Sequence, residues 1–163
     1  MILYHGSYAV INQPDLSFSR LRTDFGKGFY LTPLKEQAIS WAQRFCREYG
    51  QAFVSEYMFL LKPDAKLPYE IKTLEFLDHN RQWLDFITAC RLGQPGDEEW
   101  DLVIGGVAND KVFDTLQLYF DKLIRAEEAI GRLKYSKPNI QYCFKSQALL
   151  DEYLKFRGSG ALV

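Results

Sequence analysis

The residues with the most chemical potential in this chain stand in three short runs. Tyr4-His5-Gly6-Ser7 lies near the start, Gly26-Lys27-Gly28-Phe29-Tyr30-Leu31-Thr32 follows a polar segment, and Asn139-Ile140-Gln141-Tyr142-Cys143-Phe144 comes late. An imidazole at the end of an apolar strand, followed by glycine, sets a hydrogen-bonding ring beside backbone that a ligand can approach closely. A glycine-flanked aromatic strand offers a face to a planar ring. Gln141 offers an amide oxygen that accepts hydrogen bonds without carrying charge. Singly, each feature has a plain structural explanation: histidine before glycine is more often structural than catalytic, Gly-Phe-Tyr ahead of a helix is usually core, and Gln141 fits the outer face of a strand. Their joint occurrence, in this order, is the informative observation.

These runs resemble the diphtheria-toxin-like and poly(ADP-ribose)-polymerase-like branch of the ADP-ribosyltransferases. The first strand of that branch carries Tyr-His-Gly-Thr or a similar motif, and a Gly-Phe-Tyr-Ser-Thr-like strand then leads into a helix. The run Asp24-Phe25-Gly26-Lys27-Gly28-Phe29-Tyr30-Leu31-Thr32, with Ala38 and Trp41-Ala42 after it, is also similar to a family of small bacterial and phage relatives of those transferases. The wider resemblance covers the first fifty residues and the final thirty; the narrower one covers the whole chain.

The resemblance implies an α+β fold with an ADP-ribosyltransferase-like split β-sheet core and flanking helices, and NAD as co-substrate without a metal. By it, His5 would bond a ribose hydroxyl of NAD, Gly6 would bind the nicotinamide amide through its backbone, and Ser7 would assist at the ribose. Tyr30 would stack on the nicotinamide ring, and Trp41 would close the ring's other side. The third motif of the superfamily is a glutamate that binds the ribose 2′-hydroxyl, and the residue in its place is Gln141. A neutral amide still accepts that hydrogen bond but supplies no negative charge to an oxocarbenium-like transition state. The difference is roughly 1–2 kcal/mol, about one or two decades in rate. Charge would then come from the acceptor's own acid, from a carboxylate such as Asp110 or Asp24, or from substrate phosphate. Arg20, with Arg22 and Lys27, can pair with the pyrophosphate, against the default of solvated loop charges.

The activity so implied is mono-ADP-ribosyl transfer, in which the nicotinamide N-glycosidic bond breaks and ADP-ribose passes to a macromolecular acceptor, protein ahead of nucleic acid. A second reading is a catalytically weak or inactive module that binds NAD or ADP-ribose, and Gln141 favours it. A third keeps the fold with a closed pocket, as an interaction protein whose partner is a cognate inhibitor or antitoxin.

The elements that must position these residues can be read from composition and periodicity. A chain of 163 residues, 47% hydrophobic, is the size of one domain, 1–163, with a proper core. Lys and Arg total 20 against 21 Asp and Glu, which removes the simplest case for a nucleic-acid or anionic-membrane surface. Cys46, Cys90 and Cys143 are far apart and odd in number, which argues against a secreted disulfide framework and for the cytoplasm. No signal-peptide pattern and no membrane-length apolar run is present.

Met1–His5 reads as a buried strand and 12–27 as a surface loop. A helix capped by Thr32 and Pro33 is expected to bury Leu34, Ala38, Trp41, Ala42, Phe45, Cys46 and Tyr49 and to stop at Gly50. Phe53–Leu60 alternates as a strand, and helices are expected over 69–78 and 81–92. Within this middle segment Trp83, Phe86 and Trp100 read as packing residues ahead of target recognition. A strand at Asp101–Ile104 ends at Gly105-Gly106, which lacks the third glycine of a dinucleotide fingerprint. Asn109-Asp110 is the expected cap of the helix that follows, and a further helix spans Ala126–Leu133. The end of the chain reads as a strand at Ile140–Phe144, a short turn or helix over 146–150, and a strand at Tyr153–Phe156. His79 reads as surface or a local cap.

Overall fold

The computed structural model describes residues 1–60, 71–94, 99–108, 110–134 and 139–162. Its strands are β1 (Ile2–Ser7), β2 (Phe29–Leu31), β3 (Ala52–Phe59), β4 (Thr73–Glu75), β5 (Leu102–Gly106), β6 (Ile140–Phe144) and β7 (Leu154–Leu162). Its α-helices are α1 (Lys35–Tyr49), α2 (Arg81–Leu92), α3 (Asp110–Phe120), α4 (Ala126–Leu133) and α5 (Gln147–Tyr153). The fold is mixed α+β with two sheets, ordered β1-β3-β7 and β2-β6-β5-β4. Among the described residues a single antiparallel bridge, Tyr4 opposite Thr32, joins them.

Alternation along the strands assigns each face its layer. From β2, β5 and β6, Phe29, Leu31, Leu102 and Phe144 pack with Leu3, Tyr57, Leu149 and Leu150 between the sheets. Val103 and Cys143 point the other way, onto Phe25, Trp83, Leu84, Ile87 and Leu116 beneath α2, α3 and α4. Ala38 and Ala42 of α1 lie on the first sheet with Ala52 and Val54. Among the described residues no helix is long and apolar enough to cross a membrane. All three cysteines are free thiols.

The strands expected at the start of the chain and at 53–60, 101–104 and 140–144 form with small boundary shifts, as do the helices over 81–92 and 126–133, whereas the last strand, expected over 153–156, runs on to Leu162 because it pairs along the whole of β3. Gly50 ends α1 in the left-handed region at φ 70°, with its N–H donating to the Cys46 carbonyl.

Several expectations need correction. The helix expected over 69–78 is replaced, within its described part, by strand β4, because its backbone completes a parallel pair with β5 for which α2 is the crossover. The 12–27 segment is not simply surface: Leu16–Phe18 forms a 3-10 turn, and Phe25 is fully buried in the helical core. In α1 only Ala38 and Ala42 are buried, while Leu34, Trp41 and Tyr49 are exposed, since two alanines suffice for close contact with a glycine-bearing strand. Thr32 does not sit at the cap position; its hydroxyl accepts from Leu34 N–H and donates to the Ile140 carbonyl. His79 is buried against Trp83, with ring centroids 4.3 Å apart, while Asn80 caps α2. The Asn109 cap lies outside the described residues, as do the 69–70 part of the expected helix and the side chain of Asp110.

Candidate functional site

The place where the two sheets part is set by hydrogen-bond parity. Phe59 N–H donates to the Met1 carbonyl, whereas Tyr4 exchanges both of its backbone bonds with Thr32 at 2.8 and 2.9 Å. In an antiparallel strand alternate residues address alternate neighbours. Leu3, His5 and Ser7 therefore turn their backbone groups to β3, and Tyr4 and Gly6 turn theirs to β2. Continued by one step, the β1–β2 ladder would set Gly6 opposite Tyr30, but only the Tyr4–Thr32 bridge forms. Among the described residues no hydrogen bond engages the Gly6 N–H or C=O on that edge. A donor and an acceptor thus stand side by side on buried Gly6 where the two strands part, the complement of a carboxamide.

Gly6 is also required sterically. A Cβ there would lie 2.3 Å from the Ala38 carbonyl oxygen and 3.0 Å from Ala42, so a side chain would push α1 off the sheet. The sequence pattern His-Gly therefore has two physical causes here, a backbone edge and a helix contact, and the second was not visible in the motif.

His5 closes one side of the split. Its Nδ1–H donates to the Tyr30 carbonyl at 2.7 Å, and the ring stacks on Phe29 at 4.4 Å. Because the carbonyl only accepts, Nδ1 carries the proton and Nε2 is the acceptor of the neutral ring. Desolvation lowers the imidazole pKa below its ordinary 6.5, opposed by the Tyr30 hydrogen bond, so the neutral form prevails at neutral pH. Ser7 is buried, and its hydroxyl donates to the Ala9 carbonyl at 2.9 Å and accepts from Ala9 N–H at 3.1 Å.

Tyr30 and Gln141 share the opposite face, because Tyr30 pairs with Cys143 across β2–β6 and Gln141 lies two residues along β6. The Tyr30 hydroxyl accepts from Phe25 N–H at 3.0 Å, donates to the Gly26 carbonyl at 2.7 Å and lies 2.7 Å from the Thr23 hydroxyl. Burial pushes its phenol pKa well up. Lys145 holds the same loop from the end of β6, donating to the Phe25 and Lys27 carbonyls at 2.7 and 2.8 Å.

Gln141 is buried and meets a carboxylate. Its Nε2 donates to Asp24 Oδ2 at 3.1 Å, an oxygen that also accepts from Ala108 N–H at 3.0 Å. Asp24 Oδ1 takes Arg91 Nε at 3.1 Å and the Arg91 Nη2 in an ion pair with side chains only 22% and 11% exposed. Arg91 in turn lies over the Phe113 ring at 5.0 Å. Of the two carboxylates weighed as sources of charge, Asp24 is the one shown beside Gln141. Arg91 and Ala108 were missed: nothing local in the sequence joins positions 24, 91, 108 and 141.

The remaining sequence-derived residues stand outside this cluster. Trp41 is 44% exposed on α1, with the Arg44 guanidinium 4.4 Å above its ring. Arg20 is exposed and acts electrostatically on Tyr49, itself stacked on Tyr8 at 4.7 Å. The structure thus brings His5, Gly6 and Tyr30 together through the β1–β2 split and Gln141 to Asp24, while no described contact joins Trp41 or Arg20 to them. Among the described residues no grouping of His, Cys, Asp and Glu has the form of a metal site.

A family model described as "Protein of unknown function (DUF3990)" matches residues 1–156. The chain belongs to that family. The match runs from the residue before β1 into β7, so every residue of the split and of the Gln141 cluster lies inside the DUF3990 region. No curated protein and no solved structure matches the chain.

Proposed function

We propose that this DUF3990 chain is an NAD-dependent mono-ADP-ribosyltransferase with the split-sheet core of that superfamily. The observation that carries the reading is the edge at Gly6, one donor and one acceptor beside His5 and opposite Tyr30. A nicotinamide carboxamide is the matching group, taking the Gly6 N–H on its oxygen and giving its NH₂ to the Gly6 carbonyl. Neutral His5 then offers Nε2 to a ribose hydroxyl, and the Gln141 amide oxygen accepts from the ribose of the scissile bond. In the reaction the bond between the ribose anomeric carbon and the nicotinamide nitrogen breaks, its electron pair leaving with neutral nicotinamide. The acceptor nucleophile bonds that carbon and gives up its proton. Holding donor and acceptor in line replaces a bimolecular encounter and so contributes to such catalysis.

The contact between Gln141 and Asp24 favours a second reading, a module that binds NAD or ADP-ribose with little turnover. Asp24 already shares its charge with Arg91, so little anionic field is left for a developing cation.

The deciding experiment is nicotinamide release from NAD by the purified protein, alone and with cell lysate, beside calorimetric NAD binding. The transferase reading expects release that depends on lysate and is lost in Gln141→Ala with the fold intact by circular dichroism. Binding without release in either condition leaves the module. Neither binding nor release overturns both.

A further inference from the structure

The side chain of Asp24 is saturated. Its carboxylate has roughly four acceptor directions, and four donors occupy them: Arg91 Nε and Nη2 on Oδ1, Ala108 N–H and Gln141 Nε2 on Oδ2. Asp24 therefore has no direction left for a ligand, and whatever it does at the site it does through Gln141.

An ionised carboxylate only accepts, so the glutamine must turn its NH₂ toward Asp24 and its carbonyl oxygen away from it. This fixes an amide that would otherwise have two orientations of similar shape. It also fixes the residue type. A glutamate in place of Gln141 would bring a second carboxylate to within about 3 Å of the first, and like charges at that distance in a buried site do not both ionise. Arg91 supplies one positive charge, already engaged by Asp24.

We propose that Asp24, held by Arg91, is the positioning residue that orients the Gln141 amide with its oxygen as the acceptor, and that its charge is why position 141 is glutamine. The activity arm of the test rests on the transferase or NAD-binding reading above; the structural arm does not. In effect the cluster keeps one negative charge, carried at position 24 instead of position 141. Moving that charge should then restore part of what either single change destroys. With Asp24→Asn and Gln141→Glu combined, the amide introduced at position 24 would donate its NH₂ to the carboxylate introduced at position 141. Its carbonyl would still accept from Arg91, while the Ala108 N–H would lose the acceptor it shares with Gln141.

The test is a double-mutant cycle on the full chain with Asp24→Asn, Gln141→Glu and the two together, read by thermal melting and by NAD affinity. Each single variant is expected to melt below the wild type and to lose about tenfold or more in NAD affinity, equivalent to a reversed or repelled hydrogen bond. The double variant is expected to melt above Gln141→Glu but below the wild type, because the Ala108 N–H lacks its acceptor, and to bind NAD more tightly than either single variant, a coupling that independent sites do not show. Losses that multiply independently in both readouts overturn the proposal. So does an Asp24→Asn protein that melts lower but binds NAD as the wild type does, since Asp24 would then serve the fold alone. If the wild type does not bind NAD, the functional reading fails separately. The melting cycle then decides the pairing, with recovery in the double variant upholding it and additive losses overturning it.

Discussion

The two sides of this site are built by different means. On the β1–α1 side the determinants are steric and backbone: Gly6 is pressed under Ala38 and Ala42, and its N–H and C=O sit on a strand edge that β2 does not pair. On the β6 side they are charged and side-chain borne: Gln141, Asp24 and Arg91, with the Ala108 N–H closing the ring of donors. The first side tolerates almost no change in volume, because backbone meets backbone. The second tolerates little change in charge, because removal of one ion leaves another buried and unpaired. The proposed recognition of a neutral carboxamide would use the first construction, and the proposed orientation of the Gln141 amide the second.

The comparison can be broken most severely at Gly6. Gly6→Ala is expected to cost about 3 kcal/mol or more, since the new methyl meets a carbonyl oxygen at 2.3 Å and α1 must shift; urea denaturation measures it. A loss under about 1 kcal/mol would mean that the helix gives way easily and that the β1 side is not sterically determined.

Arg91→Ala is the corresponding break on the charged side. It leaves Asp24 with two neutral donors, Ala108 N–H and Gln141, in a mostly buried place, and an expected cost of about 3 kcal/mol follows from stranding that charge. Arg91→Ala combined with Asp24→Ala should cost less than the sum of the two single changes, as the same denaturation assay will show.

Tyr30→Phe sharpens the boundary between the two sides. It removes the hydroxyl that holds the Phe25 N–H and the Gly26 carbonyl, for an expected loss of about 1–2 kcal/mol. Amide hydrogen exchange should quicken at residues 23–26, while the β1–β3 ladder keeps its protection.

The slightest change is expected from pH. Burial lowers the pKa of His5 and of His79 from the ordinary 6.5, so the unfolded chain takes up protons first as pH falls. Stability from this source is complete above that value and declines as pH drops through it toward the lower folded-state values. The melting point should therefore fall between about pH 7 and pH 5. His5→Gln should flatten part of the decline and His79→Gln another part. An unchanged slope in both variants would assign the pH dependence to other groups.

The parts of the site that were legible from sequence were those that are local. The His5-Gly6 pair and the strand ending in Tyr30 are contiguous motifs, and α4 and β6 follow directly from apolar periodicity. β4 was misread because Leu74, the one apolar residue of Thr73–Glu75, fits either element; only its parallel pairing with β5 selects extended backbone. Trp41 and Tyr49 looked like core by spacing, yet Ala38 and Ala42 make the contact and the larger rings remain outside. Arg91 gave no signal, since a lone basic residue in the last turn of a helix is ordinary in any sequence.

The amino-acid sequence was enough to establish most of the mixed element order, β4 excepted, the glycine and aromatic positions of the first strands, and a glutamine at position 141. Those are properties of neighbours along the chain, governed by backbone conformation and by alternation of apolar side chains. It took the packed chain to establish that the first two strands part after one bridge, that Gly6 must be glycine to admit α1, and that Gln141 faces a carboxylate neutralised by Arg91. Each of these depends on groups far apart in sequence whose energies appear only when packing removes water and fixes their distances.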